Sequence, residues 1–132
     1  MEKFSFDHIH LCSRNPKATA EYYKKIFNAK IIESVQSDGR GRIDLVIDGL
    51  KIFLIAPPID ENVPEAPADQ YLGLDHFGFV VENVSEIVAE LKEKGAEFTL
   101  EPTVIRPGIK IAYVKAPENV RVELVERTKT EQ

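Results

Sequence analysis

The sequence predicts an α+β fold of two βαβββ modules, forming one curved mixed sheet with its helices outside. Two observations carry this. Phe6-Asp7-His8-Ile9-His10-Leu11 is echoed 68 positions later by Leu74-Asp75-His76-Phe77-Gly78-Phe79, with one Asp-His at the same phase of each copy. Each copy is then followed, seven residues after its histidine, by an asparagine (Asn15, Asn83), a helical pattern and three further strand patterns. A long period of this kind is the mark of one supersecondary unit used twice, and two such sheets need their open faces covered by helices.

The elements follow in order. Residues 4–12 alternate as a strand, with Phe6, His8, His10 and Cys12 on one face and Asp7, Ile9 and Leu11 on the other. Asn15-Pro16 reads as N-cap and first helical residue of a helix reaching about residue 29, with Ala20, Tyr23 and Phe27 on its apolar face. Residues 31–35 form a short strand and Ser37-Asp38-Gly39-Arg40-Gly41 a turn. Strands at 42–47 and 50–56 are joined through Asp48-Gly49, a hairpin signal. Module one thus covers about 4–56.

Residues 57–73 read as an extended connector, because Pro57, Pro58, Pro64 and Pro67 interrupt an acidic stretch without periodicity. Module two, about 74–126, repeats the plan within the same single domain. It has a strand at 74–82, a helix at about 84–94 with Ile87, Val88 and Leu91 on one side, and Gly95 as its stop. Strands near 97–101, 109–115 and 120–126 follow, with Pro107-Gly108 and Ala116-Pro117-Glu118-Asn119 as turns.

Composition narrows the function. A chain of 132 residues is long enough to bury a core without staples. A net charge of −5 and the lack of a basic run argue against a nucleic-acid surface. No apolar stretch approaches the roughly 20 residues that span a bilayer, so no membrane partner is expected. Met1-Glu2-Lys3 leads straight into a strand pattern rather than a signal peptide. Cys12 is the only cysteine, which excludes an internal disulfide and fits a cytoplasmic location. It is expected to be a small buried apolar residue.

Three side chains stand out as metal ligands: His8, His76 and Glu123. In Val120-Arg121-Val122-Glu123-Leu124-Val125, packing Val122 and Leu124 under a helix turns Glu123 to the opposite face. By the same alternation, Ile9 with Leu11 and Phe77 with Phe79 face the helices, turning His8 and His76 the other way. Two imidazoles and a carboxylate with open positions suit iron, nickel, zinc, manganese or cobalt. A histidine on a strand is otherwise a hydrogen-bonded core residue, and a buried Glu123 without a partner would be costly. His10 shares the face of His8 and is a candidate proton carrier, or else a cavity-wall hydrogen bonder. Tyr113 is either a donor to a developing oxyanion or a half-buried aromatic. Arg121, on the face of Glu123, either meets an anionic group or is solvated. Phe53, Phe4 and Phe6 would make the pocket partly apolar, favouring an organic substrate.

These residues carry a resemblance to the vicinal oxygen chelate superfamily, which includes glyoxalase I, methylmalonyl-CoA epimerase, extradiol dioxygenases and bleomycin-resistance proteins. Asp7-His8-Ile9 with Tyr22-Tyr23-x-x-x-Phe27 resembles the first strand and helix of that family. Gly73-Leu74-Asp75-His76 resembles the start of its second unit. Ala112-Tyr113-Val114-x-Ala116-Pro117-Glu118-Asn119-Val120-Arg121-Val122-Glu123-Leu124 resembles its closing motif, although Ala116 and Asn119 stand where acidic and glycine residues are commoner. The resemblance covers residues 5–126. It implies a glyoxalase/dioxygenase-like fold, metal ligands at His8, His76 and Glu123, and a homodimer. Four-ligand members add a Glu or Gln at the place that aligns with Phe53, and an aromatic ring cannot replace it. The remaining two-histidine, one-glutamate set resembles that of the ring-cleaving dioxygenases.

The expected function is therefore a metal-dependent lyase, isomerase or dioxygenase, with Glu123 and His10 as its catalytic groups. Its substrate would be a small organic molecule chelated through carbonyl or hydroxyl oxygens. The alternative is a metal-free protein that sequesters a ligand or antibiotic, as bleomycin-resistance proteins do. A third reading is a regulatory or assembly partner that keeps the fold alone.

Overall fold

The computed structural model describes residues 3–57 and 62–128. The chain divides into two compact units, Met1–Val63 and Pro64–Gln132, and the division falls inside the expected connector. Pro58 of that connector lies outside the described residues. Among the described residues, two helices and eight strands make up the two units in the same order, the α+β architecture that the repeat predicts.

Unit one runs β1 (Ile9–Cys12), α1 (Pro16–Phe27), β2 (Lys30–Val35), β3 (Gly41–Ile47) and β4 (Leu50–Ile55). Unit two runs β5 (Phe77–Val80), α2 (Val84–Glu93), β6 (Glu97–Arg106), β7 (Ile109–Lys115) and β8 (Arg121–Arg127), with a 3₁₀ turn at Pro117–Asn119. Each unit forms a four-stranded mixed sheet, ordered β1-β4-β3-β2 and β5-β8-β7-β6. First and last strands pair in parallel, with Ile9 opposite Ile52 and Phe77 opposite Val122, while the remaining pairs are antiparallel.

Local chemistry sets the helix ends. The Asn15 side chain accepts from the Ala18 N–H at 3.1 Å, and that of Asn83 from the Glu86 N–H at 3.0 Å. Each cap satisfies one of the orphan donors of a first turn. Helix α1 stops at Phe27 rather than residue 29, because Asn28 takes a left-handed conformation (φ 58°) and its N–H returns to the Tyr23 carbonyl. Helix α2 gives way to Gly95 at φ 94°. Asp48 and Gly49 both have positive φ, 45° and 84°, as a two-residue type I′ hairpin requires.

Three boundaries differ from expectation for physical reasons. The ladders begin at Ile9 and Phe77, so His8 and His76 each stand just before a strand rather than within it. Strand β6 continues through Pro102 to Arg106, beyond the expected residue 101. It is an edge strand, where the missing N–H of proline costs no ladder bond, and its pairing with β7 slips register along this stretch. Cys12 is exposed rather than buried. It alternates with Leu11, so it faces away from α1, as does its partner Ile55.

Beneath α1 the core comprises Ala20, Tyr23, Ile26, Leu45, Ile52 and Leu54; beneath α2 it comprises Val84, Val88, Leu91, Ile111, Val122 and Leu124. Each large side chain stabilises its unit by about 1.5–3 kcal/mol through burial. No helix among the described residues is long and apolar enough to cross a membrane.

Tyr23 is fully buried, yet its hydroxyl finds no hydrogen-bond partner among the described residues. Burial, and secondarily the neighbouring Tyr22, pushes its ionisation well above the ordinary 10.0. A raised acid pKa favours the neutral phenol, so this contribution is complete below pH 10 and declines as pH rises beyond it. Tyr23→Phe retains the packed ring and removes only the unpaired hydroxyl. It is expected to leave stability at pH 7 unchanged or raise it by up to about 1 kcal/mol, and to flatten the alkaline fall of the unfolding midpoint. Denaturant melts at pH 7 and pH 11 measure both effects; a loss above about 1 kcal/mol at pH 7 would show that the hydroxyl is satisfied.

Candidate functional site

In unit two the parallel register places Gly78 opposite Glu123, and the antiparallel register places Tyr113 beside it. Val122 and Leu124 are buried under α2, so Arg121 and Glu123 project from the other face, as the alternation of β8 predicts. His76, two residues before Gly78, reaches the same place.

A connected polar network results. His76 Nε2 lies 3.2 Å from Glu123 Oε1, while His76 Nδ1 lies 2.7 Å from Asp75 Oδ2. The other oxygen of Asp75 accepts a close hydrogen bond from Arg121 Nη2. Tyr113 meets the His76 ring edge-on at 5.1 Å between centroids, and the Arg121 guanidinium sits 5.9 Å from the centre of the Tyr113 ring. The groups are largely covered: 28% of the His76 side chain is exposed, 21% of Glu123 and 16% of Arg121.

Electrostatics follow from these contacts. The hydrogen bond to His76, with the nearby charge of Arg121, holds the Asp75 carboxyl below its ordinary 3.8. Burial first, then the Glu123 and Asp75 carboxylates, push the Tyr113 hydroxyl above its ordinary 10.0, so it stays a neutral donor at physiological pH. Both nitrogens of His76 face carboxylates. A neutral imidazole has one N–H and satisfies one of them; the second contact requires another proton or a cation.

The donor pair suits a metal. Bond lengths near 2.1 Å around a tetrahedral or octahedral ion put neighbouring donor atoms roughly 3.0–3.4 Å apart, and 3.2 Å lies within that range. With Nδ1 held by Asp75, Nε2 is the nitrogen directed at Glu123. A carboxylate behind a ligating histidine is the usual means of fixing its orientation. Glu123 is not the unpartnered buried carboxylate that its strand position suggested, because His76 is its partner.

In unit one, His8 repeats half of this arrangement: its Nδ1 lies 2.7 Å from Asp7 Oδ2. Its ring stacks on Phe53 at 4.0 Å, and His10 meets the same ring edge-on at 6.0 Å. The register places His10 opposite Phe53 as Gly78 is opposite Glu123, so Phe53 occupies the equivalent of Glu123's position. Arg42 lies 4.3 Å over Phe53 and pairs with Asp44 at 2.9 Å. Phe53 is half-buried, but Phe4 and Phe6 are 88% and 74% exposed and do not form the apolar pocket wall expected of them. They precede the ladder, so no neighbouring strand covers them. Arg121 is not a solvated arginine; Asp75 holds it. No group of three or more metal-capable side chains is assembled among the described residues; in unit two the assembled pair is His76 and Glu123.

Gly78 is a contributor that sequence reasoning missed. A Cβ there would lie 3.0 Å from the Glu123 carbonyl oxygen and 3.1 Å from the Glu123 Cβ. The signal was present: a glycine in a strand marks a close approach, and this one follows His76 by two residues.

Comparison with known proteins places these features in a wider group. The family model described as Glyoxalase/Bleomycin resistance protein/Dioxygenase superfamily matches residues 7–113. A lactoylglutathione lyase of Arabidopsis thaliana is 25% identical over 114 residues, 85% of this chain but 40% of that protein. The chain thus spans less than half the length of this curated relative. Among solved structures, a glyoxalase family protein from Enterococcus faecalis superposes with a TM-score of 0.76 at 23% identity, covering 96% of this chain and 100% of that one. A mutant of the fosfomycin resistance protein FosX from Listeria monocytogenes, complexed with Mn(II) and a dihydroxypropylphosphonic acid, gives 0.69 at 22% identity, covering 99% and 95%. At these identities the solved structures show a shared fold.

Gly78→Ala is expected to displace Glu123 by a few tenths of an ångström and cost about 1 kcal/mol or more through overpacking. Gly41→Ala is the control, since nothing lies within 4 Å of its added methyl. Thermal melts of both variants, with NMR of the His76 ring, test this; equal stability and unchanged His76 signals would show that the approach is relaxed.

Proposed function

Because this chain belongs to the Glyoxalase/Bleomycin resistance protein/Dioxygenase superfamily, we propose that it is a metal-dependent enzyme acting on a small organic molecule through its carbonyl or hydroxyl oxygens. One observation carries the reading: His76 Nε2 and Glu123 Oε1 stand at the spacing of two ligands of one ion, with the imidazole held from behind by Asp75. In this reading His76 and Glu123 are metal ligands. His8 is the third, on the strength of the sequence repeat and its matching pair with Asp7. Iron, nickel, zinc, manganese and cobalt all suit such donors, and one relative is complexed with Mn(II).

When bound, the ion would act as a Lewis acid toward substrate oxygens and the charge that develops on them. The protein's own groups do the remaining work. Asp75 fixes the His76 ring, and Arg121 fixes Asp75. Tyr113, kept neutral, offers an O–H to a substrate oxygen. Glu123 combines ligation with holding a proton, and His10 on the exposed face of β1 is a proton carrier. Lyase, isomerase and ring-cleaving dioxygenase chemistry all share that Lewis-acid step, and the protein would act as a homodimer.

Metal analysis of the purified chain, followed by loading with each candidate ion, is the decisive experiment. Added metal at 100 times its dissociation constant is expected to raise stability by about 2.7 kcal/mol. His76→Ala and Glu123→Ala should each abolish that gain with the fold intact by circular dichroism, and His8→Ala should weaken it. A chain that holds no stoichiometric ion and accepts none would instead be a ligand-sequestering protein of the bleomycin-resistance type. With the loaded protein, dioxygen consumption separates ring cleavage from lyase or isomerase chemistry.

A further inference from the structure

Unit one contains a cavity of about 430 Å³ lined by its own residues. We propose that it binds a small organic anion, with a carboxylate or phosphate held by Lys17, Arg40 and Arg42 and an apolar body lying along Ile43 and Ile55. Calling that occupant the substrate rests on the functional reading above; its binding does not.

The charge of the cavity is opposite to that of the chain. Its charged lining comprises Lys17, Arg40, Arg42 and Glu33, three cations against one anion, in a protein of net charge −5. The two arginines are oriented by aspartates that leave their outer nitrogens open. Asp38 accepts from Arg40 Nε at 3.1 Å, and Asp44 accepts from Arg42 Nε at 2.9 Å. Neither arginine uses its Nη groups in a hydrogen bond among the described residues, so each retains donors able to grip a planar or tetrahedral anion. Lys17 is one residue into α1 beyond Pro16, where the positive end of the helix dipole adds to its charge.

The apolar half of the cavity is equally specific. The Phe53 ring is covered by Arg42 and stacked against His8, while Ile43, Leu54 and Ile55 extend the wall. His10 also lines the cavity. A volume of this size suits a molecule of modest dimensions rather than a bare inorganic ion. A lining that joins three cations to apolar side chains suits an anionic head on an apolar body.

Titration of the ¹⁵N-labelled full chain with phenyl phosphate, phenylacetate, inorganic phosphate and benzyl alcohol tests the proposal. Saturable amide shifts are expected at residues 15, 17, 33–36, 40–43 and 53–56 with phenyl phosphate, phenylacetate or both. The tighter of the two identifies the head group, and inorganic phosphate and benzyl alcohol should bind at least ten-fold more weakly. Arg42→Gln should weaken the organic anion by roughly ten-fold, the size of one lost charge-assisted bond. Lys17→Gln, on an exposed helical position, should weaken it several-fold without risk to the fold. His76→Ala should leave the titration unchanged, so loss of metal binding there and loss of anion binding here are separable results. The proposal is overturned if neither organic anion gives saturable shifts, if inorganic phosphate binds as tightly, or if both cation substitutions leave affinity unchanged.

Discussion

Parallel pairing of the first and last strand of each unit is the constraint on which the remaining architecture rests. Ile9 against Ile52 and Phe77 against Val122 place apolar side chains beneath a helix on one face of the sheet. The residues between them then have only the other face to occupy. A slip of one position in β8 would drive Arg121, Glu123 and Val125 under α2 and expel Val122 and Leu124, at a cost of several kcal/mol for the buried side chains alone. The same hydrophobic register that holds unit two together therefore delivers Glu123 to His76 and Arg121 to Asp75. Core packing and site geometry here have a common cause.

Within that shared frame the two units diverge at equivalent positions. His10 faces Phe53 where Gly78 faces Glu123, and Asp44 stands beside Phe53 where Tyr113 stands beside Glu123. The exchange is sterically coherent. A carboxylate approaches closely because its neighbour is a glycine, and an aromatic ring in its place is covered by His8 and Arg42. Unit two consequently carries oxygen and nitrogen donors suited to a cation, whereas unit one carries guanidinium and ammonium groups around an apolar floor. One shared element plan thus accommodates different electrostatic linings, because each sheet needs only its helix-facing residues to stay apolar.

The second unit also shows how a modest network secures orientation. Asp75 joins His76 through one oxygen and Arg121 through the other. A carboxylate used at both ends has little freedom to rotate, and neither has the imidazole it holds. Tyr113 closes the remaining side as a neutral donor. None of these contacts requires full burial, since the side chains are largely but not wholly covered.

Much of this was legible from residue order. The Asp-His echo, Asn15 and Asn83 as helix caps, the Asp48-Gly49 hairpin and the alternation of β8 are short-range chemistry, so the element plan and the facing of Glu123 could be read without coordinates. The standing of Phe53 where four-ligand relatives carry a Glu or Gln was legible through the family resemblance, while its equivalence to Glu123 came from the strand register. Partners distant in the chain were not visible. Arg121 could be read as meeting an anionic group or as solvated, and only folding set Asp75, far upstream, against it. Cys12 looked like a buried residue until the ladder turned it outward, and Gly78 looked like an ordinary strand glycine until Glu123 arrived opposite. Local sequence determined periodicity, caps and turns because those depend on neighbours a few bonds away. Tertiary structure decided which side chains share a space, because strand pairing joins residues that nothing in the linear order places together.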